Sequence, residues 1–161
     1  MVAFIYSDDI KLTSDLKCNN GEGITLTNGA CIDCDGHTIT GPGNGENFIF
    51  GISIRDGQGT NIKNCSVTNF KGINDTSGIY VEENTSEIVI DNVNVYGNRK
   101  GIMANTVSNI EIKNSVIDDN ERTGIVVVSS TDVSFTNVQV SNSNNGIKVH
   151  YSGGVKMGRI V

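Results

Sequence analysis

The sequence predicts an all-β solenoid, a parallel β-helix with three short strands in each coil. The 161 residues include 19 glycines, one proline and no tryptophan. With abundant Asn, Ser, Thr, Val and Ile, this composition favours short strands joined by tight turns. A Gly-Ile pair recurs at positions 23, 51, 78, 101, 124 and 146. Such an internal repeat is typical of a solenoid, in which each unit buries its apolar face against its neighbours, and it predicts about six coils.

Each repeat divides into three segments in which apolar and polar residues alternate. One repeat reads "GIYVE" at 78–82, "EIVIDN" at 87–92 and "VNVYGN" at 93–98. A period of two is that of a strand, so every repeat predicts three strands whose aliphatic side chains point inward. Those side chains would stack between coils about 4.8 Å apart. We expect one domain over 1–161, with residues 1–22 as an N-terminal cap region and 23–161 as coils.

An asparagine ends the second strand in four of the repeats. These residues are Asn64, Asn92, Asn114 and Asn137. Asparagine tolerates the left-handed backbone angles that a bend requires, and a stacked amide can both donate to and accept from the next. The pattern predicts a buried asparagine ladder at one corner, with exposed turn asparagines as the alternative.

Charge and cysteine spacing argue against several classes of protein. Twelve basic and eighteen acidic residues give a net charge of −6, which disfavours nucleic acid as a partner. No run approaches the roughly 18 apolar residues of a membrane-spanning helix, so no membrane insertion is expected. Cys31 and Cys34 form a single CxxC without a second pair, and therefore no metal site is predicted. A disulfide or buried thiols in an exported protein fit the four cysteines better.

The repeats and the opening stretch "LTSDLKCNNGEGITLTNGACIDCDGHTITG" resemble a known family. They are similar to the right-handed parallel β-helix repeats of the pectate-lyase-like superfamily, especially its NosD-like and archaeal surface-protein branch. The similarity covers residues from about 10 to 161. It implies a right-handed coil and a disulfide between Cys18 and Cys34 in the opening coil. The same scaffold carries lyases, hydrolases, adhesins and spacers, so the resemblance leaves the activity open.

The candidate ligand face lies on the outer side of the Gly-Ile strands, where enzymes with this scaffold place their functional groups. Outward positions there include Arg55, Tyr80, Glu82 and Asn105, which offer one ring to stack on a sugar and several groups to bind hydroxyls. A glycoside hydrolase needs two carboxylates about 5–10 Å apart, and a pectate-type lyase needs several acids around calcium. The strand stack supplies only Glu82. No catalytic residue is therefore assigned, calcium stays an open option, and no other cofactor is predicted.

These observations predict an extracellular or cell-surface module with a structural, adhesive or carbohydrate-binding role and a polysaccharide or surface glycan as partner. One alternative is a polysaccharide lyase, a glycoside hydrolase or a degenerate relative of either. Another alternative is a self-assembling solenoid subunit joined through its open C-terminal edge. It follows from "VKMGRIV" at 155–161, which matches only a second strand and the start of a third. An open C-terminal edge of this kind would be covered by another copy of the chain or by further coils of a longer protein.

Overall fold

The computed structural model describes residues 4–19, 21–44 and 49–161, and these residues form strands joined by turns. The strands are β1 (Phe4–Tyr6), β2 (Ile10–Lys11), β3 (Leu16–Lys17), β4 (Ile24–Thr27), β5 (Ile32–Asp33), β6 (Thr38–Gly43), β7 (Phe50–Arg55), β8 (Asn61–Lys63), β9 (Ser66–Phe70), β10 (Ser77–Val81), β11 (Ser86–Asp91), β12 (Asn94–Tyr96), β13 (Lys100–Asn105), β14 (Ser108–Asp118), β15 (Thr123–Val128), β16 (Thr131–Ser141), β17 (Asn145–His150) and β18 (Lys156–Met157). Within these ranges there is no α-helix, and hence none long and apolar enough to cross a membrane.

The strands pair in parallel and form three walls around one core. The Gly-Ile wall has the order β1-β4-β7-β10-β13-β15-β17. The second wall contains β2, β5, β8, β11, the first halves of β14 and β16, and β18. The third wall contains β3, β6, β9, β12 and the second halves of β14 and β16. The predicted parallel β-helix with three strands per coil is confirmed.

The predicted cap region itself contains strands that continue the coils. β1, β2 and β3 pair in parallel with β4, β5 and β6, one strand on each wall. The cap region therefore adds a coil ahead of those that begin with Gly-Ile. Residues 1–3 and 20, which also belong to the predicted cap, lie outside the described part of the chain.

The core consists of aliphatic side chains that stack from coil to coil. One row on the Gly-Ile wall runs through Ile24, Ile52, Ile79, Ile102, Ile125 and Ile147. A row on the second wall runs through Ile32, Ile62, Ile90, Ile112 and Phe135. Except for Ile147, which is partly buried, these side chains are at most 1% exposed. Burial of each contributes about 1.5–3 kcal/mol, so the rows provide most of the stability.

The repeated glycine is required by close approach between coils. A Cβ added at Gly78 would lie 2.6 Å from Cγ1 of Val95 and 3.1 Å from the carbonyl oxygen of Gly101. A Cβ at Gly101 would lie 2.6 Å from Cγ2 of Ile117. Both positions face the core beside the backbone of the next coil, where only glycine fits without displacement.

The corner between the second and third walls has the backbone predicted for it, but its asparagines face outward. The φ angles of Asn64, Asn92, Asn114 and Asn137 are 56°, 52°, 50° and 54°. Asn64 is half-buried and the other three are exposed, so the prediction that these amides are buried is wrong. A residue with left-handed angles interrupts the inward–outward alternation of a strand, and it is the following residue that turns inward. Cys65, Val93, Ser115 and Val138 occupy those buried positions.

The outward amides form a broken ladder along this corner. Asn92 donates to Oδ1 of Asn64 at 2.8 Å, and Asn137 donates to Oδ1 of Asn114 at 3.2 Å. Between these pairs Asn114 donates to Oδ1 of Asp91 instead, at 2.9 Å. The predicted contact between neighbouring amides is therefore present in two steps and replaced by a carboxylate in the third.

A buried asparagine ladder occurs at the corner between the third wall and the Gly-Ile wall. Asn98 and Asn120 are 0% and 1% exposed. Nδ2 of Asn98 donates to the carbonyl oxygens of Val67 and Tyr96, both at 3.0 Å, and Oδ1 accepts the N–H of Phe70 at 3.0 Å. Oδ1 of Asn120 accepts the N–H of Asn98 at 3.1 Å. The sequence signal was the asparagine that ends the third segment, in "VNVYGN" and "SVIDDN".

The disulfide joins Cys34 to Cys65 on adjacent coils, and Cys18 and Cys31 are free. The predicted bridge between Cys18 and Cys34 is wrong because these residues lie at different corners. Cys18 follows β3 on the third wall and donates its N–H to Thr40, whereas Cys34 follows β5 on the second wall. Burial raises the pKa of the Cys18 thiol to about 11, which keeps it protonated and unreactive.

Candidate functional site

The outer side of the Gly-Ile wall brings the four residues of the candidate ligand face together. Tyr80 pairs with Ser53 on one side and Met103 on the other. Ile54 pairs with Val81, and Val81 pairs with Ala104. The residues that follow these three, Arg55, Glu82 and Asn105, therefore lie beside one another in a second row. Since stacked strands are about 4.8 Å apart, the whole group fits within three neighbouring coils.

Tyr80 lies on a second aromatic ring that the sequence pattern did not indicate. Its ring stacks on Phe50 with the centroids 4.4 Å apart and the planes at 17°. Phe50 is 5% exposed, while Tyr80 is half-buried and keeps part of its surface accessible. Phe50 precedes the Gly-Ile pair of its strand, outside the repeated alternation from which the face was predicted. We call this stacked pair the aromatic platform.

The Tyr80 hydroxyl has a polar and partly desolvated environment. Its pKa is raised, chiefly because burial disfavours the phenolate and next because the Glu82 carboxylate repels it. A side-chain hydrogen bond with Asn105 acts in the opposite direction. Tyr80 is therefore a protonated phenol at neutral pH, able to donate a hydrogen bond beside the exposed part of its ring.

Arg55 lies between two carboxylates. One terminal nitrogen, NH2, is 3.3 Å from Oε1 of Glu22, and Nε is 3.6 Å from Oε2 of Glu82. Nε is buried and has no hydrogen-bond partner in the described part of the chain. Glu22, whose side chain is 15% exposed, belongs to the predicted cap region, and the repeat pattern did not connect it with the face. The arrangement fixes the guanidinium and leaves one N–H unused.

A groove of about 720 Å³ continues from the platform towards the C-terminal coils. We call it the basic groove. It is lined by Asp75, Arg99, Lys100, Met103, Glu121, Arg122, Thr123, Val126, Val128, Asn144, Asn145, Lys148 and His150. The alternation placed Met103, Val126, Val128, Lys148 and His150 on this side of the wall. It gave no indication of Arg99 and Arg122, because they precede the Gly-Ile strands, outside the alternating segments.

No candidate metal centre occurs in the described ranges. Among these residues no three His, Cys, Asp or Glu side chains converge closely enough to hold an ion. Calcium, left open by the sequence, gains no cluster of carboxylates in this part of the chain.

The chain matches the family described as "Right handed beta helix region" over residues 13–158. It belongs to that family, and the expected right-handed coil is confirmed. A crystal structure of a double mutant of the periplasmic alginate epimerase AlgG superposes with a TM-score of 0.60 at 17% sequence identity. The match covers 86% of this chain and 34% of that one, so this chain spans about a third of the epimerase's length. At this identity the likeness concerns the fold. Comparison with curated protein sequences gives no match.

Proposed function

We propose that this protein is an extracellular or envelope glycan-binding module that holds a polysaccharide against the outer side of its Gly-Ile wall. The observation that carries the proposal is the aromatic platform, with Tyr80 stacked on Phe50 beside polar groups in the next row. The epimerase AlgG, which shares the fold, is described as periplasmic and as acting on alginate, and this supports a carbohydrate ligand and a location outside the cytoplasm.

The chemistry of the face suits a sugar ring. An aromatic side chain presents a large apolar surface at low conformational cost, and the C–H face of a pyranose can lie against it. Sugar hydroxyls both donate and accept. Glu82 accepts, the guanidinium of Arg55, whose side chain is 36% exposed, donates, and the amide of Asn105 does both. A few convergent polar groups around an apolar contact are typical of sites that orient a small ligand unit.

Affinity electrophoresis of the purified protein tests the proposal. Native gels would contain alginate, polygalacturonate, xylan or the neutral glucan laminarin, and retardation by at least one of them is expected. Tyr80→Ala should weaken that binding about tenfold, because stacking contributes roughly 0.5–1.5 kcal/mol beyond the area buried. Tyr96→Ala is the matched control, since Tyr96 lies in β12 on the third wall.

A second pair of variants guards against unfolding of the aromatic variant. Asn105→Ala removes an uncharged amide from the face and should also weaken binding, whereas Asn94→Ala, on the outer side of β12 on the third wall, should not. Thermal unfolding of all four variants shows whether the fold is intact. Absence of retardation by every polymer, or equal losses in the Tyr80 and Tyr96 variants, contradicts the proposal. Release of new reducing ends or unsaturated products would instead favour a hydrolase or a lyase.

A further inference from the structure

We infer that the ligand of this face is an acidic polysaccharide, and that Arg122 and Lys148 in the basic groove select it over neutral polymers. The inference rests on the proposed function, because the groove and the aromatic platform are one continuous surface. Met103, which lines the groove, pairs directly with Tyr80.

Ion pairing leaves the groove with a local excess of positive charge. Of its two acids, Asp75 is bound by Lys100, and Glu121 lies 3.5 Å from Lys71, a residue that does not line the groove. Arg122 and Lys148 have no ion pair in the described part of the chain. Their charges are therefore available to a ligand.

This excess contrasts with the rest of the molecule. The whole chain carries a net charge of −6. An acidic polymer is repelled by a negative surface and is concentrated where a concave region carries the opposite sign. In this protein the groove is such a region, and it lies beside the ring that the proposed function requires.

The register of the coils allows one polymer segment to reach both features. Tyr80 pairs with Met103, Met103 with Val126, and Val126 with Lys148. At about 4.8 Å per coil, roughly 14 Å separates the ring from the Lys148 position. Met103 and Val126 form an apolar floor between them. A polysaccharide lying along the axis can contact this floor with its C–H groups and direct carboxylate or sulfate groups to the cations.

The experiment compares polygalacturonate with its methyl ester, which has the same backbone without the negative charge. The wild-type protein should bind the acid form more tightly, and the difference should shrink as salt is added, because exposed charges are screened. The double variant R122Q/K148Q should bind the acid form about fivefold more weakly and the ester unchanged. K156Q/R159Q is the matched control. It removes the same charge from exposed residues outside the groove and should change neither affinity.

The outcomes separate this inference from the proposed function. Equal binding of acid and ester, equal effects of the two double variants, or duplex DNA binding as tightly as polygalacturonate overturns the inference. If Tyr80→Ala weakens binding while R122Q/K148Q has no effect, the proposed function holds and the inference fails. If only R122Q/K148Q weakens binding, the charge of the basic groove selects the ligand, and the role given to the aromatic platform in the proposed function is wrong. Absence of binding to either polymer contradicts both.

Discussion

Replacing Asn98 by Ala should destabilise the protein strongly, although the removed side chain is small and polar. The amide is completely buried and makes three hydrogen bonds of 3.0 Å, two as a donor to carbonyl oxygens and one as the acceptor of the Phe70 N–H. Alanine removes these three hydrogen bonds at a position where the side chain has no exposed surface. Each hydrogen bond contributes about 0.5–1.5 kcal/mol net, so the expected loss is about 3 kcal/mol. That is a large fraction of the 5–15 kcal/mol typical of whole domains.

The assay is urea unfolding followed by circular dichroism, with Asn94→Ala as the control. Asn94 lies on the same coil but is exposed on the outer side of β12, so its replacement should change the free energy of unfolding by less than about 0.5 kcal/mol. Hydrogen exchange adds a local measurement, since the Phe70 amide should lose protection in Asn98→Ala. Similar stabilities for the two variants would refute the role given to the buried amide.

Three further predictions concern stability. Gly101→Ala should lower the free energy of unfolding in urea by about 1–3 kcal/mol, because the added Cβ meets the neighbouring coil. Gly153→Ala is the control and should be tolerated, since nothing lies within 4 Å of a Cβ there; equal effects would contradict the close approach. Replacing Cys34 and Cys65 by Ala should lower the free energy of unfolding by about 3 kcal/mol under non-reducing conditions, because the disulfide closes a loop of 31 residues. An unchanged midpoint of urea unfolding would argue against this pairing. The pKa of Asp33 is lowered, first by a hydrogen bond from the side-chain amide of Asn64, so the ionised carboxylate stabilises the fold above the ordinary carboxyl pKa and this stabilisation is lost as the pH falls through the lowered value. Asp33→Asn should therefore flatten the loss of stability below about pH 4 in urea unfolding. An unchanged pH profile would show that this carboxylate is not responsible.

Much of the candidate site could be predicted from the repeat alone. Strand alternation placed Arg55, Tyr80, Glu82 and Asn105 on one side of one wall, and the register of the coils brings them together. The face was incomplete without Phe50, which lies outside the alternating pattern and is identified only by the ring that it meets on the next coil.

Several charged residues of the site lie outside the alternating strand segments, so the repeat did not predict them. Glu22 reaches Arg55 from the region predicted as a cap, and Arg122 enters the groove from the turn before a strand. Turn residues have no fixed period, so their direction depends on how each coil is closed. Whether an Arg or Lys in a turn forms an ion pair depends on which carboxylates lie within reach in the folded chain. The spacing of residues along the sequence does not indicate this.

The sequence by itself determined the coil, because a period of two within each strand and a period of about 22–28 residues between repeats leave stacking as the way to bury the aliphatic rows. It also predicted the left-handed bend at Asn64, Asn92, Asn114 and Asn137, since asparagine accepts such angles more readily than most residues other than glycine. Only the tertiary structure decided which asparagines are buried and which cysteines pair. Both outcomes depend on the corner that each residue occupies and on the direction of its side chain there. A left-handed residue interrupts the alternation, so counting positions along the second strand gave the wrong side for Asn64, Asn92, Asn114 and Asn137.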